Sequence, residues 1–437
     1  MSEFQAGVAR IELKPPPNLD LSGFAARNRP STGTHDPLFA RALALSDGDQ
    51  TALILAVDVL GFEASFVEEA RHFIEAQTGV AAANIMLCAT HTHGAPASMF
   101  LRGCGEISSG WIAQLLQKMA QAAREAVGAL APARVLAGSV AVRGVSANRR
   151  QLNDPIDYDL DILRLDSKEK PLAALFSFGC HPVGAGPDLL ISADFPGVLL
   201  SQIEARTGAI GLYCNGASGD INPLMPGTIN VWRQGSYERV EAIGAQLAKA
   251  VLDIWPRLEP LETSELQIIS RRLELSLQEP LGDNELRELC DENLAALKGS
   301  AQKGEYSQGA AAIFEWATKL RRSKARDDVA RAVSIELQSI RFGEVAIVGV
   351  PGEVFAALGL NIKNGARSRN TFVLGTTNGN IGYIGTRAAY GELLYELGEA
   401  HRYYDQPAAL SPDAGEMVVR AACEMINHRK DQCQTKL

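Results

Sequence analysis

Two histidines lie one residue apart in the segment A-T-H-T-H-G-A-P, residues 89–96, of a chain that has only 7 histidines. His91 and His93 close the short apolar run at residues 84–90, which is typical of a buried strand. In extended chain, residues two apart point to the same face, so both imidazoles are expected to project into one space at the strand's carboxyl end. This arrangement suits metal binding or acid–base catalysis.

Two further polar residues end apolar runs in the same manner. His181 closes F-S-F-G-C-H, and Glu353 follows V-G-V-P-G. Polar side chains at the carboxyl ends of strands, beside glycine and proline turns, are where α/β proteins usually build sites. Two or three histidines and a carboxylate from separate strands could therefore form a zinc site with one open position.

Each of these residues also has a structural interpretation. A single histidine such as His181 is more often a hydrogen-bonded core residue than a ligand, and Glu353 could cap the helix that follows it. Cys180 could act as a thiol nucleophile, although its apolar neighbours favour burial. The segment N-G-A-S-G-D could expose Ser218, yet it matches neither a phosphate-binding loop nor a nucleophile elbow. The residues alone leave both interpretations open.

Strand-like and helix-like segments alternate along the chain and must position these residues. Amphipathic helices are predicted at residues 64–77 and 110–127, and buried strands at 51–60, 84–90, 133–142, 171–181 and 208–216. This pattern predicts an α/β fold in which helices are layered against mixed, largely buried sheets. Residues 276–330 are charged and lack strand patterns, so we expect a helical insertion on a single domain that spans residues 1–437.

Composition excludes several classes of partner. The chain has 437 residues with 46% hydrophobic residues, enough for a sizeable core, and its net charge of −9 is spread over mixed charges, which disfavours nucleic acid. No run approaches the roughly 18 apolar residues that span a bilayer, and no secretory-signal pattern is present. The 7 cysteines are widely spaced, as expected of reduced thiols. We predict a cytoplasmic protein with no nucleic-acid partner and no stable membrane insertion; the oligomeric state stays open.

The order of these segments resembles the neutral/alkaline, non-lysosomal ceramidases and their bacterial relatives. The resemblance covers most of the chain and rests on A-G-V-A-R-I-E-L-K-P-P, T-G-T-H-D-P-L-F-A-R-A-L, A-T-H-T-H-G-A-P, N-R-R, G-C-H-P-V, G-D-I-N-P, P-G-E-V and I-G-Y-I-G-T followed by L-L-Y-E. It implies the fold of the family's N-terminal domain and hydrolysis of a carbon–nitrogen amide bond by metal-activated water.

The resemblance also implies a role for each matching residue. The Zn²⁺ ligands that it implies are His91, His181, Glu353 and Tyr383. The catalytic residues that it implies near the metal and the scissile carbonyl are His93, Arg149 and Tyr395. These side chains suit the chemistry, because an imidazole can relay a proton while a phenol or guanidinium steadies an oxyanion.

One segment departs from the family's pattern. The family carries a serine in G-D-x-S-P, whereas G-D-I-N-P places Asn222 at that position. A carboxamide cannot form an acyl-enzyme, so Asn222 is expected to orient water or substrate instead. Ser218 is a weaker substitute for the missing serine.

The predicted function is therefore zinc-dependent hydrolysis of an amide, with a small soluble amide as substrate. Two alternatives use the same metal site: hydrolysis of ceramide (N-acylsphingosine), and hydrolysis of an ester or lactone. A third alternative, from another functional class, is a binding protein without catalytic activity. The acyl and amine parts of the substrate and the physiological metal stay open.

Overall fold

The computed structural model describes residues 3–428 except 152, 225–234, 264 and 304. The strands of this part of the chain are β1 (Gln5–Glu12), β2 (Gly33–Thr34), β3 (Phe39–Ser46), β4 (Thr51–Val57), β5 (Ile85–Ala89), β6 (Ala131–Pro132), β7 (Arg134–Ala141), β8 (Ser146–Asn148), β9 (Asp159–Ser167), β10 (Lys170–Phe178), β11 (Leu190–Ile191), β12 (Ile210–Asn215), β13 (Ile221–Pro223), β14 (Glu259–Leu261), β15 (Gln267–Ser276), β16 (Ala332–Phe342), β17 (Val345–Gly349), β18 (Glu353–Val354), β19 (Asn370–Leu374) and β20 (Tyr383–Ile384). The helices are α1 (Ala64–Thr78), α2 (Ser109–Gly128), α3 (Asp194–Thr207), α4 (Tyr237–Ile254), α5 (Asp283–Gln302), α6 (Gln308–Lys324), α7 (Ala356–Gly365), α8 (Tyr395–Gly398) and α9 (Ala414–Asn427).

Local signals set the bounds of the two helices predicted near the N-terminus. Helix α1 ends where Gly79 adopts a left-handed φ of 74°, a conformation that glycine reaches without steric cost. Helix α2 begins after Ser108, whose side chain accepts a hydrogen bond from the Trp111 backbone N–H. Both predicted helices are confirmed, and their predicted ends are correct to within about one residue. The ends agree because the capping residues coincide with the ends of the apolar periodicity.

The longer strands form three mixed sheets. Sheet one has the order β5-β4-β3-β1-β6, sheet two β12-β10-β9-β7-β14 and sheet three β15-β16-β17-β19. Each sheet is antiparallel except for one parallel pair at an edge, namely β4 with β5, β10 with β12, and β17 with β19. A parallel pair requires a crossover connection, and α1, α3 and α7 lie in these three crossovers.

Alternation along the strands assembles the sheets and helices into layers. In β4, Leu53, Leu55 and Val57 join the core beneath α1 and α2, while Ile54 and Ala56 join the core between the sheets. Residues of all three sheets share this central core, and α3 with α4 cover sheet two while α7 with α9 cover sheet three. The predicted α/β fold with helices layered on mixed sheets is confirmed. No helix of the described ranges is both long and apolar enough to cross a bilayer.

Helices α5 and α6 occupy most of the segment that the sequence predicted to be helical. They join β15 to β16 and share a small apolar cluster that includes Leu286, Trp316 and Leu320. The Trp316 indole Nε1 donates to the Gln406 carbonyl at 2.8 Å, which ties these helices to the loop that follows α8. That this pair is an insertion in a single domain stays a prediction.

The carboxyl ends of the parallel edge strands meet in one region. Backbone hydrogen bonds join the loops that leave these strands: Gly375 donates to Asn215 at 2.9 Å, Gly216 to Phe178 at 3.1 Å, and Ala89 to Thr376 at 3.2 Å. The loops after strands of all three sheets are thereby held against one another. Every candidate metal ligand lies on or just after such a loop.

Candidate metal and catalytic site

Three buried histidines form the centre of the candidate site. One side-chain nitrogen from each of His91, His93 and His181 lies within 4.8 Å of the others, an arrangement that could hold a metal ion. The rings of His91 and His93 are 5.1 Å apart, and those of His91 and His181 are 5.0 Å apart. The structure therefore brings together the histidines that the sequence singled out.

The predicted reason for the proximity of His91 and His93 is nevertheless wrong. Strand β5 ends at Ala89, and His91 has a left-handed φ of 65° rather than an extended backbone. This conformation costs a non-glycine residue about 1–2 kcal/mol and is held by tertiary contacts. The His91 backbone N–H donates to Val59 at 3.0 Å, and its ring Nδ1 donates to the Leu60 carbonyl at 2.7 Å.

Hydrogen bonds to backbone carbonyls fix which nitrogen of two rings faces the site. The Nδ1 of His181 lies 2.7 Å from the Ser218 carbonyl, as that of His91 lies 2.7 Å from Leu60. A carbonyl only accepts, so each Nδ1 carries a proton, and whenever such a ring is neutral its Nε2 presents a lone pair. Burial, together with nearby Arg149, lowers the pKa of His181 to about 4, so this ring is neutral at ordinary pH.

Glu353 faces both of these Nε2 atoms. Its Oε2 lies 3.0 Å from His181 Nε2 and 3.6 Å from His91 Nε2. His91 Nε2 and both nitrogens of His93 have no hydrogen-bond partner among the described residues. Lone pairs that face a carboxylate in a buried space need a shared cation, and this donor set fits Zn²⁺.

The second carboxylate oxygen of Glu353 is held by residues that sequence reasoning missed. The Tyr404 hydroxyl donates a short hydrogen bond to Oε1, and Asn380 Nδ2 approaches the same oxygen at 3.4 Å. Such contacts orient a metal-ligating carboxylate and leave one oxygen for the ion. No spacing in the sequence signals Tyr404 or Asn380.

Tyr383 lies beside Glu353 because the two residues are register partners in the parallel pair of β18 and β20. Its ring is 5.9 Å from that of Tyr395 and 6.4 Å from that of Tyr404. Its side chain is hydrogen-bonded to Arg149, which raises the pKa of the guanidinium further above its ordinary range despite burial. The candidate fourth ligand is thus next to the carboxylate and in contact with a candidate catalytic residue.

Arg149 and Asn222 meet across the short antiparallel pair of β8 and β13. Arg149 Nη1 donates to Asn222 Oδ1 at 3.1 Å, and Arg149 Nε donates to Glu396 Oε1 at 2.8 Å. Because Asn222 accepts through its oxygen, its amide nitrogen faces away from the guanidinium, and that nitrogen has no partner among the described residues. Asn222 can therefore donate to a bound water or to a substrate carbonyl.

Tyr395 lies at the solvent side of this group. It is 39% exposed, and the neighbouring Leu393 and Leu394 are 62% and 41% exposed. His91, His93, His181 and Glu353 are all buried. The site is therefore buried at the histidines and reaches the surface at Tyr395.

The alternative roles of other residues receive no support from the geometry. Cys180 is buried, and burial raises the pKa of its thiol well above the ordinary value, so a reactive thiolate is disfavoured. Ser218 presents its carbonyl to the Nδ1 side of His181, opposite the nitrogen that faces Glu353. Asp220, rather than Glu353, accepts from the first N–H of α7, at 2.8 Å.

Fold and site together define an α/β protein with a buried histidine–carboxylate centre at the carboxyl ends of its parallel strands. The family model for the neutral/alkaline non-lysosomal ceramidase, N-terminal, matches residues 4–228, which is more than half of the chain. The chain therefore belongs to this family, as predicted.

Curated proteins and solved structures agree with this assignment. The chain is 24% identical over 259 residues to the neutral ceramidases of Drosophila melanogaster and Drosophila pseudoobscura pseudoobscura, a match that covers 51% of this chain and 36% of each relative. The neutral ceramidase from Pseudomonas aeruginosa has the same fold, with a TM-score of 0.75, 17% identity, and coverage of 98% of this chain and 74% of that one. A ceramidase complexed with C2 gives a TM-score of 0.77 at 16% identity, with coverage of 100% and 77%. The match therefore spans about a third of the length of the two insect proteins.

Gly23 leaves the space that His93 occupies, which allows a test of the cluster. Gly23 has a φ of 97°, and a Cβ built on it would lie 2.3 Å from His93 Nδ1. We expect Gly23→Ala to force the imidazole to shift and, measured by urea denaturation, to lower the free energy of unfolding by about 1–3 kcal/mol more than the control does. Gly79→Ala is the matched control: Gly79 has a φ of 74° with nothing within 4 Å of its Cβ. Equal free energies of unfolding in the two variants would contradict the placement of His93 against Gly23.

Proposed function

We propose that the protein hydrolyses a carbon–nitrogen amide bond at a Zn²⁺ site whose ligands are His91, His181, Glu353 and Tyr383. The observation that carries the proposal is the meeting of the Nε2 atoms of His91 and His181 with the Glu353 carboxylate in a buried space. Zn²⁺ bound there would supply activation of water as a nucleophile at neutral pH and polarisation of a carbonyl.

His93 is proposed to accept a proton from the attacking water and to pass it to the leaving amine. Its two ring nitrogens have no partner among the described residues, so either can reach water or substrate. Burial, with His91 and His181 nearby, lowers the pKa of His93 well below its ordinary value. The ring is therefore neutral before the reaction and can act as the base.

Arg149 and Tyr395 are proposed to stabilise the negative charge that develops on the carbonyl oxygen. Arg149 is buried and is held by Glu396 and Asn222, so its guanidinium is fixed before substrate arrives. A donor that is fixed in a buried site stabilises an oxyanion more than a donor in water does. Tyr395 offers a phenol at the open side, 5.9 Å from the Tyr383 ring centre.

Asn222 is proposed to orient the reactants and not to attack them. Its oxygen accepts from Arg149, which leaves its amide N–H groups to donate to water or to the substrate. A carboxamide is no nucleophile, so hydrolysis proceeds by direct attack of water, without a covalent acyl intermediate.

A short, water-soluble amide is the proposed substrate. Two cavities that border the site among the described residues hold about 10 Å³ each, one lined by Tyr383 and Tyr404 and the other by His93. Each is about the size of one water molecule, so these spaces leave no room for a long acyl chain. The described cysteines are free thiols, which supports the predicted cytoplasmic location.

N-acylsphingosine is the second candidate substrate, and one observation favours it. Leu393 and Leu394 are 62% and 41% exposed beside Tyr395, so an apolar surface adjoins the open side of the site. A long acyl chain could bury itself on these side chains. The names of the curated relatives point in the same direction.

The two histidines of T-H-T-H are expected to respond differently to truncation. His91→Ala removes a ligand and should lose Zn²⁺ and turnover together. His93→Ala should retain most of the metal and lose turnover about a hundredfold, the scale of general acid–base removal. Elemental analysis beside turnover of a soluble N-acyl anilide separates the two roles. Because one nitrogen of each ring lies within 4.8 Å of the others, equal metal loss in both variants would instead make His93 a ligand.

The substrate and the role of Asn222 are tested together. We expect no acyl-enzyme in mass spectra during turnover, no inactivation by a fluorophosphonate, and faster hydrolysis of a short N-acyl anilide than of long-chain ceramide in detergent. Asn222→Ser is the informative variant, because it restores the hydroxyl of the family's pattern. An acyl group on the unaltered chain, or ceramide turned over faster than every soluble amide, would contradict this proposal.

A further inference from the structure

A single buried carboxylate lies between two arginines beside the candidate site. Arg149 Nε contacts Glu396 Oε1 at 2.8 Å, and Arg150 Nη1 contacts Oε2 at 2.9 Å. The side chains of Arg149, Arg150 and Glu396 are 2%, 4% and 5% exposed. Glu396 is therefore the group that allows two like charges to be buried side by side.

Arg149, Glu396 and Arg150 form a trio of charged residues, and its Arg149 end contacts the candidate catalytic residue Asn222. Arg149 uses Nε for Glu396 and Nη1 for Asn222, at 2.8 Å and 3.1 Å. A guanidinium is planar, so two bonds on different nitrogens fix the orientation of the whole group. Glu396 thus sets the direction in which Arg149 presents its charge.

The other end of the trio holds the loop that carries Tyr395. Arg150 Nη2 donates to the carbonyls of Ala389 and Glu392, at 3.0 Å and 2.8 Å. Glu396 is the residue next to Tyr395 and lies on the same short helix, α8. Arg150 therefore contacts the loop at three points, twice through the backbone and once through the Glu396 carboxylate.

We propose that Glu396 and Arg150 form a buried clamp whose function is to aim Arg149 and to hold Tyr395 beside the site. Neither residue contacts the reacting atoms, so both are positioning residues. The expected effect on turnover rests on the proposed amide hydrolysis. The clamp itself does not depend on which reaction the protein catalyses. If Glu396 and Arg150 contributed to stability alone, their substitution would leave the loop protected from proteases in the folded protein. The effects of substituting Glu396 and Arg149 on turnover would then be independent of each other.

Limited proteolysis tests the clamp without any substrate. Leu393, Leu394 and Tyr395 are exposed and suit chymotrypsin, which cuts a folded chain where the backbone opens locally. We expect cleavage at residues 393–395 to be about tenfold faster or more in Glu396→Gln and Arg150→Met than in the unaltered chain. Gln151→Ala is the matched control, because Gln151 bonds to the same loop through the exposed Glu392 side chain, at 2.8 Å and 2.9 Å. Cleavage of the two clamp variants no faster than that of Gln151→Ala would overturn the proposal.

Kinetics of the zinc-loaded protein with a soluble N-acyl anilide test the link to Arg149. We expect Glu396→Gln to lower kcat about tenfold or more while KM changes less than about twofold and metal content stays unchanged. The Arg149→Met/Glu396→Gln double variant should lose much less turnover than the product of the two single losses, because Glu396 acts in part through Arg149. Losses that multiply in the double variant would overturn the link.

Two outcomes separate the clamp from the proposed function. An unaltered chain that hydrolyses no amide refutes the function, and proteolysis still decides the clamp. If Glu396→Gln fails to fold, Glu396→Asp provides the same comparisons, since it keeps the charge but withdraws it from the two arginines. In that variant, loop cleavage and kcat equal to those of the unaltered chain would overturn the proposal.

Discussion

The candidate site depends on a carboxylate that faces the Nε2 atoms of two imidazoles away from water. Glu353 Oε2 lies 3.0 Å and 3.6 Å from the Nε2 atoms of His181 and His91, whose Nδ1 protons are committed to backbone carbonyls. Burial of such groups is costly unless a cation is shared among them. A neighbouring hydrogen bond fixes the orientation of this carboxylate. The Tyr404 hydroxyl donates to Oε1, which leaves Oε2 directed toward the rings. A metal ion is the natural solution to this electrostatic problem.

The fold meets this constraint by bringing one loop from each of three sheets to the same place. His91 follows the parallel strand at the edge of sheet one, His181 follows β10 in sheet two, and Glu353 follows β17 in sheet three. Parallel pairs place the carboxyl ends of their strands together, and ligands in α/β proteins bind outside those ends. The three sheets share one apolar core, so the loops are fixed relative to one another.

Sequence reasoning singled out residues that lie together at the candidate site, but not the residues that hold them. Helices α1 and α2 were predictable because apolar periodicity and end signals agree, and His91, His181 and Glu353 were predictable as polar residues that follow apolar runs. The left-handed φ of 65° at His91 was not predictable, because contacts with Val59 and Leu60 on a neighbouring loop hold it there. Tyr383 came from the family resemblance alone, since its approach to Glu353 requires the pairing of β18 with β20. Tyr404 and Glu396 act through contacts distant in sequence, which no local pattern encodes.

The metal content of the protein tests the central claim most directly. Protein purified without a chelator should contain about one zinc per chain, and X-ray absorption should show nitrogen and oxygen ligands at about 2.0–2.2 Å with no sulfur. Removal of the ion should leave a folded protein that takes up one equivalent again on titration with Zn²⁺. Folded protein that neither carries nor takes up a divalent metal, or zinc held by cysteine sulfur, would contradict the account.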